Sequence, residues 1–496
     1  MKQRAPLTLA AVAAALAAVT AIASLTAPAA EGKDAAGDGA AAARMPVERS
    51  LLVCPAPSSS DIADTTYTAF TPGAAASAEG KGAARLLGAT KDAKPVLELK
   101  EVGKPAGATA TGADAPALTG SAEGVLAPGW TAQLTTKVSV GRARGVLGAG
   151  CTAPGTDFWF PGVSTAKGRE DYVHLTNPDD AAAVVDIRLF GPDGLAKPDQ
   201  GTSENIRIDP KSTKSVLLSS LAPGAQLADA TAHVTTRAGR VGATVQVAEE
   251  GVGTDWLAAS TDPAGSLVLP GIPADATSVR LVAFAPGEED ADLKLRLAGP
   301  NGAISPAGNE QLHIKAGMTA SVDLKDLTRG EAGSLLLAPA DAGKAAPVVA
   351  AVRVVRGSGA KQELGFVPAT GPVGARATVA DNRAEENATV LSLTVPGAAG
   401  AKVRVTASPT TGGGEPASQE VEVKAGTTQA VTVAPAGGKG SYALTVETLS
   451  GGPVHAARTL SLPHEGIAMF TVQTLSDDHS TVSVPRAVQD LSVLTG

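Results

Sequence analysis

AVVDIRLFGPDG (Ala183–Gly194) recurs as ADLKLRLAGPNG (Ala291–Gly302) and again as AKVRVTASPTTGGG (Ala401–Gly414). Apolar and polar residues alternate in each copy, with Ile187, Leu295 and Val403 in step, followed by Leu189, Leu297 and Val405. A period of two with β-branched residues marks a strand with one face buried. The Gly, Pro and Asn residues that follow suit turns, because Gly and Asn accept positive φ and Pro fixes φ near −65°.

Working outward, NIRIDPKSTKSVLL, QLHIKAGMTASVDL and EVEVKAGTTQAVTV form a second set of echoes. Short apolar runs closed by Pro55, Pro161, Pro270 and Pro368 recur throughout the chain. A fixed long period indicates repeated domains. Several short strands per unit predict an all-β protein of tandem immunoglobulin-like antiparallel β-sandwiches. A β-propeller with two small blades per unit is the alternative. The strand pairs inside one unit resemble each other poorly, which favours the sandwich.

The expected boundaries are 1–30 for an N-terminal signal or anchor helix, 31–48 for a flexible tether and 49–155 for the first sandwich. The second, third and fourth sandwiches follow at 156–264, 265–363 and 364–463, with C-terminal strands or a tail at 464–496. In the first unit only PVLELKEV reads as a strand between Thr71 and Gly129, so that stretch is expected to be a long Ala/Gly-rich loop. AMFTVQTL and TVSV suggest a hairpin near the end.

Lys2 and Arg4 precede an apolar run from Leu7 to about Ala27, then Ala27-Pro28-Ala29. This pattern fits either a cleaved export signal or a retained anchor. The expected location is therefore secreted or at the outer face of the cytoplasmic membrane, with membrane contact only through the N-terminal segment. The two cysteines, Cys54 and Cys151, then read as one disulfide.

Composition excludes several functions. The formal charge is −8 and no basic cluster appears, which argues against nucleic acid. Aromatics are only 3%, few for a long sugar-stacking face. No nucleophile elbow, paired metal-ligand histidines, P-loop or C-x-x-C is present. Ser164 and Lys167 spell S-x-x-K without its companion motifs, and no cofactor is implied. His174, in DYVHLTNPDD, is expected to face outward between inward Val173 and Leu175, or to lie at a strand edge. Glu288, Glu289, Asp290 and Asp292 form an acidic turn that reads as solvated. GVGTDW (Gly251–Trp256) and GAGCTAPG (Gly148–Gly155) are glycine-rich without a following helix. Arg188, Arg296 and Arg404 hold one position in three units, a possible ladder for an anionic cell-wall polymer or an envelope protein.

LTNPDDAAAVVDIRLFGPDG with IRIDPKSTKSVLLSSLAPG resembles an immunoglobulin-like module of exported bacterial proteins. LLVCPAP, GAGCTAPGTDFWFPG, YVHLTNPDD and VPRAVQDLSVL together resemble an uncharacterised family of secreted actinobacterial proteins. Neither resemblance implies a substrate, cofactor or catalytic residue. The expected role is a non-catalytic binding or structural scaffold of the envelope. A cell-wall polysaccharide- or peptidoglycan-binding module is the alternative, and a hydrolase with its site between units is more remote.

Overall fold

Inward apolar positions at a period of two assemble the chain into antiparallel sheets that pair face to face. The computed structural model describes residues 43–73, 80–197, 203–435 and 437–484. The signal or anchor segment 1–30, most of the expected tether and the RAVQDLSVL ending lie outside the described residues. Among those described, the only helical elements are two 3₁₀ turns, Leu218–Ser220 and Gly359–Lys361, and no helix is long and apolar enough to cross a membrane.

Four sandwiches follow one another, each of two sheets. In the first, Arg49–Cys54, Leu118–Gly124, Gly82–Gly88 and Pro95–Leu99 lie side by side. Ala106–Thr111, Asp64–Phe70, Thr131–Val138 and Gly145–Gly150 form the facing sheet. The order is thus first, sixth, third, fourth over fifth, second, seventh, eighth. The second sandwich (157–257), third (267–368) and fourth (376–475) repeat that order, with one additional short strand pairing the third strand in the second and third sandwiches. Each has its own apolar core of alternating inward residues, such as Ile187 and Leu189 or Leu293 and Leu295. Ala43–Pro46 pairs with Thr481–Val484 as a separate two-stranded sheet.

Three expectations are corrected. The presumed long loop of the first unit contains the strands Gly82–Gly88, Ala106–Thr111 and Leu118–Gly124 as well as Pro95–Leu99. Their inward residues are largely alanine and glycine, with Leu86 and Leu118 the large ones. Small side chains carry little periodic signal even where they are buried. LGFVPATGPV does not open the fourth unit: Glu363–Pro368 is the last strand of the third, and the fourth begins at Arg376. AMFTVQTL and TVSV are not a hairpin with each other. Phe470–Leu475 is the last strand of the fourth sandwich, paired with His455–Ser461, and Thr481–Val484 pairs instead with Ala43–Pro46. The end of the expected tether is accordingly a strand.

Within residues 46–482 the sandwiches close a ring. The last strand of each unit is a sheet edge, and these four edges meet one another in order: Gly145–Gly150 against Gly253–Leu257, that against Glu363–Pro368, that against Phe470–Leu475, and that back against Gly145–Gly150. The backbone N–H of Val47 donates to Ser480 O at 3.0 Å, tying the two chain ends of this unit together. Cys54 and Cys151 form a disulfide joining the first sandwich's first strand to the end of its last.

Candidate functional site

Each inner strand presents one face to its own sandwich and the other to a neighbour. The outward residues fill the open edge of the preceding sandwich. Trp256 of the second unit packs into the core of the first. Leu364 and Phe366 of the third, with Ala351, join the core of the second. Phe470 and Val472 of the fourth, with Ala457, join the core of the third. Close strand approach is made possible by glycine: a Cβ on Gly365 would lie 2.9 Å from the Phe470 ring, and one on Gly148 would lie 2.5 Å from Thr471.

The closing joint, fourth unit to first, follows a different rule. The inner strand of the first unit offers Gly148 there instead of a large apolar side chain. Facing it is a polar interior. Arg458 is fully buried in the fourth sandwich and donates to Gln473 Oε1. Burial pulls the Arg458 guanidinium down to about 10, with Asp381 opposing. Asp255 reaches across the axis from the second unit. Its carboxyl accepts from Gly148 N at 3.3 Å and from Thr471 Oγ1 at 3.1 Å. Complete burial raises its pKa well above the ordinary carboxylate range, against the opposing hydrogen bonds. Nearer the N-terminal ends of the inner strands, Arg144 Nη2 donates to Val252 O and Gln362 O, both at 2.5 Å, linking three units. Beside it Glu363 is pushed up to about 8 by burial, with the Arg144 charge at 3.9 Å opposing.

Where the inner strands end, the ring encloses a half-open cavity of about 660 Å³. All four units wall it, through Gln133 and Gly150, His174 and Trp256, Phe366, and Thr474, together with the linkers after each last strand. Its size falls within the roughly 300–1,000 Å³ of ordinary small-molecule sites. No Lys or Arg lines it among the described residues; the ionisable ones are His174, Asp262, Asp477 and His479. Gln133 Oε1, Trp256 Nε1 and Ser260 Oγ are buried without a hydrogen-bond partner among the described residues. Buried polar atoms of this kind call for a partner, because an unmade bond there costs the full desolvation of the group.

A family model described as a family of unknown function, DUF5719, matches residues 106–434, well over half of the chain and parts of all four sandwiches. The chain belongs to that family. No curated protein matches it. Among solved structures, the pilus adhesin SpaC from Lactobacillus rhamnosus GG in its open conformation is similar, at 10% identity and a TM-score of 0.10. That similarity covers 87% of this chain and 57% of the adhesin chain. A TM-score so low carries no argument.

The candidate residues of this DUF5719 chain fall in separate places. Val173 and Leu175 are in the second sandwich's core, and His174 faces out of that sandwich, but into the cavity wall instead of free solvent. Burial holds its pKa down to about 4, with the Gln246 side chain opposing. Its Nδ1 shares a hydrogen bond with Ser215 Oγ at 3.2 Å, and its ring meets Trp256 edge to face at 5.0 Å. Ser164 is elsewhere: its hydroxyl donates to Leu227 O at 2.8 Å, while Lys167 is exposed. Arg188, Arg296 and Arg404 lie on three different sheets. Arg188 is exposed; Arg296 donates to Ala303 O at 2.9 Å; Arg404 pairs with Glu420 at 3.2 Å. In the acidic turn, Asp290 and Asp292 flank His313 at 3.6 and 2.8 Å. The sequence reading missed the cavity and its Trp256, Gln133 and Ser260. One signal was available: GVGTDW and GAGCTAPG place glycine in or beside strands, which marks close backbone approach.

Proposed function

We propose that this chain is an exported, non-catalytic binding and scaffold protein, held at the cell envelope or released from it, and that its binding site is the cavity at the ring centre. The observation that carries this reading is that all four sandwiches contribute wall to one cavity of about 660 Å³. A bound ligand would touch every unit at once. The N-terminal pattern of Lys2, Arg4 and an apolar run supports export. Ser164 has its hydroxyl engaged by a backbone carbonyl. The histidine of the Ser215–His174 pair is kept neutral by burial and is a weak base at pH 7. Both support a non-catalytic role.

The arginine positions favour this reading over an anionic cell-wall polymer as ligand, since Arg404 is already neutralised by Glu420 and Arg296 is engaged by its own hairpin. Cell fractionation with mass determination of the mature N-terminus tests export: an intact cytoplasmic protein would overturn it. Retention on purified cell wall tests the scaffold role. Adduct formation with active-site-directed serine probes would replace the non-catalytic reading with a hydrolase.

A further inference from the structure

Three of the four joints in the ring are closed twice over. A peptide linker crosses each, between Gly150 and Asp157, Leu257 and Leu267, and Pro368 and Arg376. Each is also filled by apolar side chains of the later unit: Trp256, then Leu364 and Phe366, then Phe470 and Val472. Parting any of these joints exposes buried aromatic surface to water, at a cost that grows with the area exposed.

The joint between the fourth and first sandwiches has neither safeguard. No linker crosses it, since the chain passes from the first unit to the fourth only through the other two. Instead of an aromatic, the first unit's inner strand presents Gly148 there, against the side chain of Thr471. Behind Thr471 lie Gln473 and its cross-strand partner Arg458. Gln473 Nε2 and Arg458 Nε and Nη1 are buried without a hydrogen-bond partner among the described residues. Water admitted here hydrates polar groups that the closed ring leaves unpaired, which offsets part of the cost of opening.

The contacts across this joint are small ones. Phe70 packs against two alanines, Ala380 and Ala443. Arg376 Nη2 donates to Pro128 O at 3.3 Å. Val47 N donates to Ser480 O at 3.0 Å, next to the exposed ribbon of Ala43–Pro46 and Thr481–Val484. A ribbon of two strands is marginally stable by itself. The joint also forms one side of the central cavity, with Gln133 and Gly150 on one edge and Thr474 and Asp477 on the other.

We propose that the ring is a clasp: it opens between its first and fourth sandwiches while the other three joints stay shut, and so parts one side of the central cavity. The clasp does not depend on what the cavity binds.

The chain has no free cysteine, so one introduced thiol reports one place. Thr471→Cys lies at the clasp. Val472→Cys is its neighbour on the same strand, facing the third unit, and Leu364→Cys lies at the joint of the second and third; all three positions are buried. Each full-length variant is labelled with a small thiol reagent under native conditions, and its rate is divided by its rate in urea. Thr471→Cys should react at least tenfold faster than the other two. Adding Phe70→Ala should speed Thr471→Cys several-fold and leave Leu364→Cys unchanged. Should Thr471→Cys not fold, Ala443→Cys at the clasp is compared with Leu444→Cys in the fourth core.

A clasp thiol as slow as Leu364→Cys overturns the proposal, because the joint then stays shut. Equal rates on neighbouring residues of one strand overturn it as well, because the strand then frays. So does acceleration of Leu364→Cys by Phe70→Ala, which would mean that the whole ring loosens together.

Discussion

Thr471 Oγ1 lies 3.1 Å from each carboxyl oxygen of Asp255, although 216 residues separate them. The contact crosses the ring axis from the fourth sandwich to the second, where no solvent reaches. Burial raises the pKa of the acid there and so favours its protonated form. Asp255→Asn keeps the shape and the hydrogen-bonding capacity, so its stability should stay within about 1 kcal/mol of the parent. Asp255→Ala removes the partner of Thr471 and Gly148 and should cost about 1–3 kcal/mol. Urea unfolding of the two variants checks the pair; equal losses in both would mean the buried group is an ionised carboxylate.

Glu363 gives a pH signature. Its folded pKa, about 8, stands above the ordinary Glu value. The folded state therefore binds the proton more tightly than the unfolded one. The stabilisation is complete below about pH 4.5 and is lost as pH rises through about 8. In Glu363→Gln that loss is absent. The stability of Glu363→Gln relative to the parent should rise between pH 5 and pH 8, at about 1 kcal/mol per pH unit. A flat difference across that window would show that Arg144 already holds Glu363 ionised.

His174 moves the opposite way. Its folded pKa of about 4 is depressed, so the neutral ring stabilises the fold above about pH 6.5 and that contribution is lost as pH falls toward 4. The ring resonances of His174 should show no titration between pH 8 and pH 5.5 by NMR. A midpoint near 6.5 would place the ring in solvent.

Trp256 serves two sandwiches. Trp256→Ala should cost about 3–5 kcal/mol. Because the lost surface belongs to the first unit's core, hydrogen exchange should accelerate in Thr131–Val138 as well as in Gly253–Leu257. Acceleration confined to the second unit would mean that the first core is complete without it.

Replacing Cys54 and Cys151 by serine should lower stability by about 4–5 kcal/mol on the chain-entropy account for a span of this length. Equal thermal midpoints before and after reduction would contradict that.

The strands with large alternating residues were legible, because Ile187, Leu295 and Val403 signal a face without reference to the rest of the molecule. The three extra strands of the first unit were not, since Ala84 and Ala122 look the same in a loop as in a core. The disulfide was legible from the even cysteine count together with the expectation of export. Ring closure was out of reach. The closing joint rests on Gly148, Asp255 and Thr471, and the other three on Trp256, Phe366 and Phe470, each of which reads as an inward residue of its own unit. Their destination is a neighbour's edge, about a hundred residues earlier in the chain, and periodicity carries no information on that.

The borrowed aromatics also set an order of assembly. During synthesis, the first sandwich has no Trp256 until the second has emerged, and the second has no Phe366 until the third follows. The newest complete set of strands always waits for the next, so the growing chain carries a single unfinished domain forward with it. The fourth sandwich borrows no aromatic from a following unit among the described residues. Its interior joint is polar and its partner, Gly148, has been present from early on, so the last unit to appear is able to seal the circle at once.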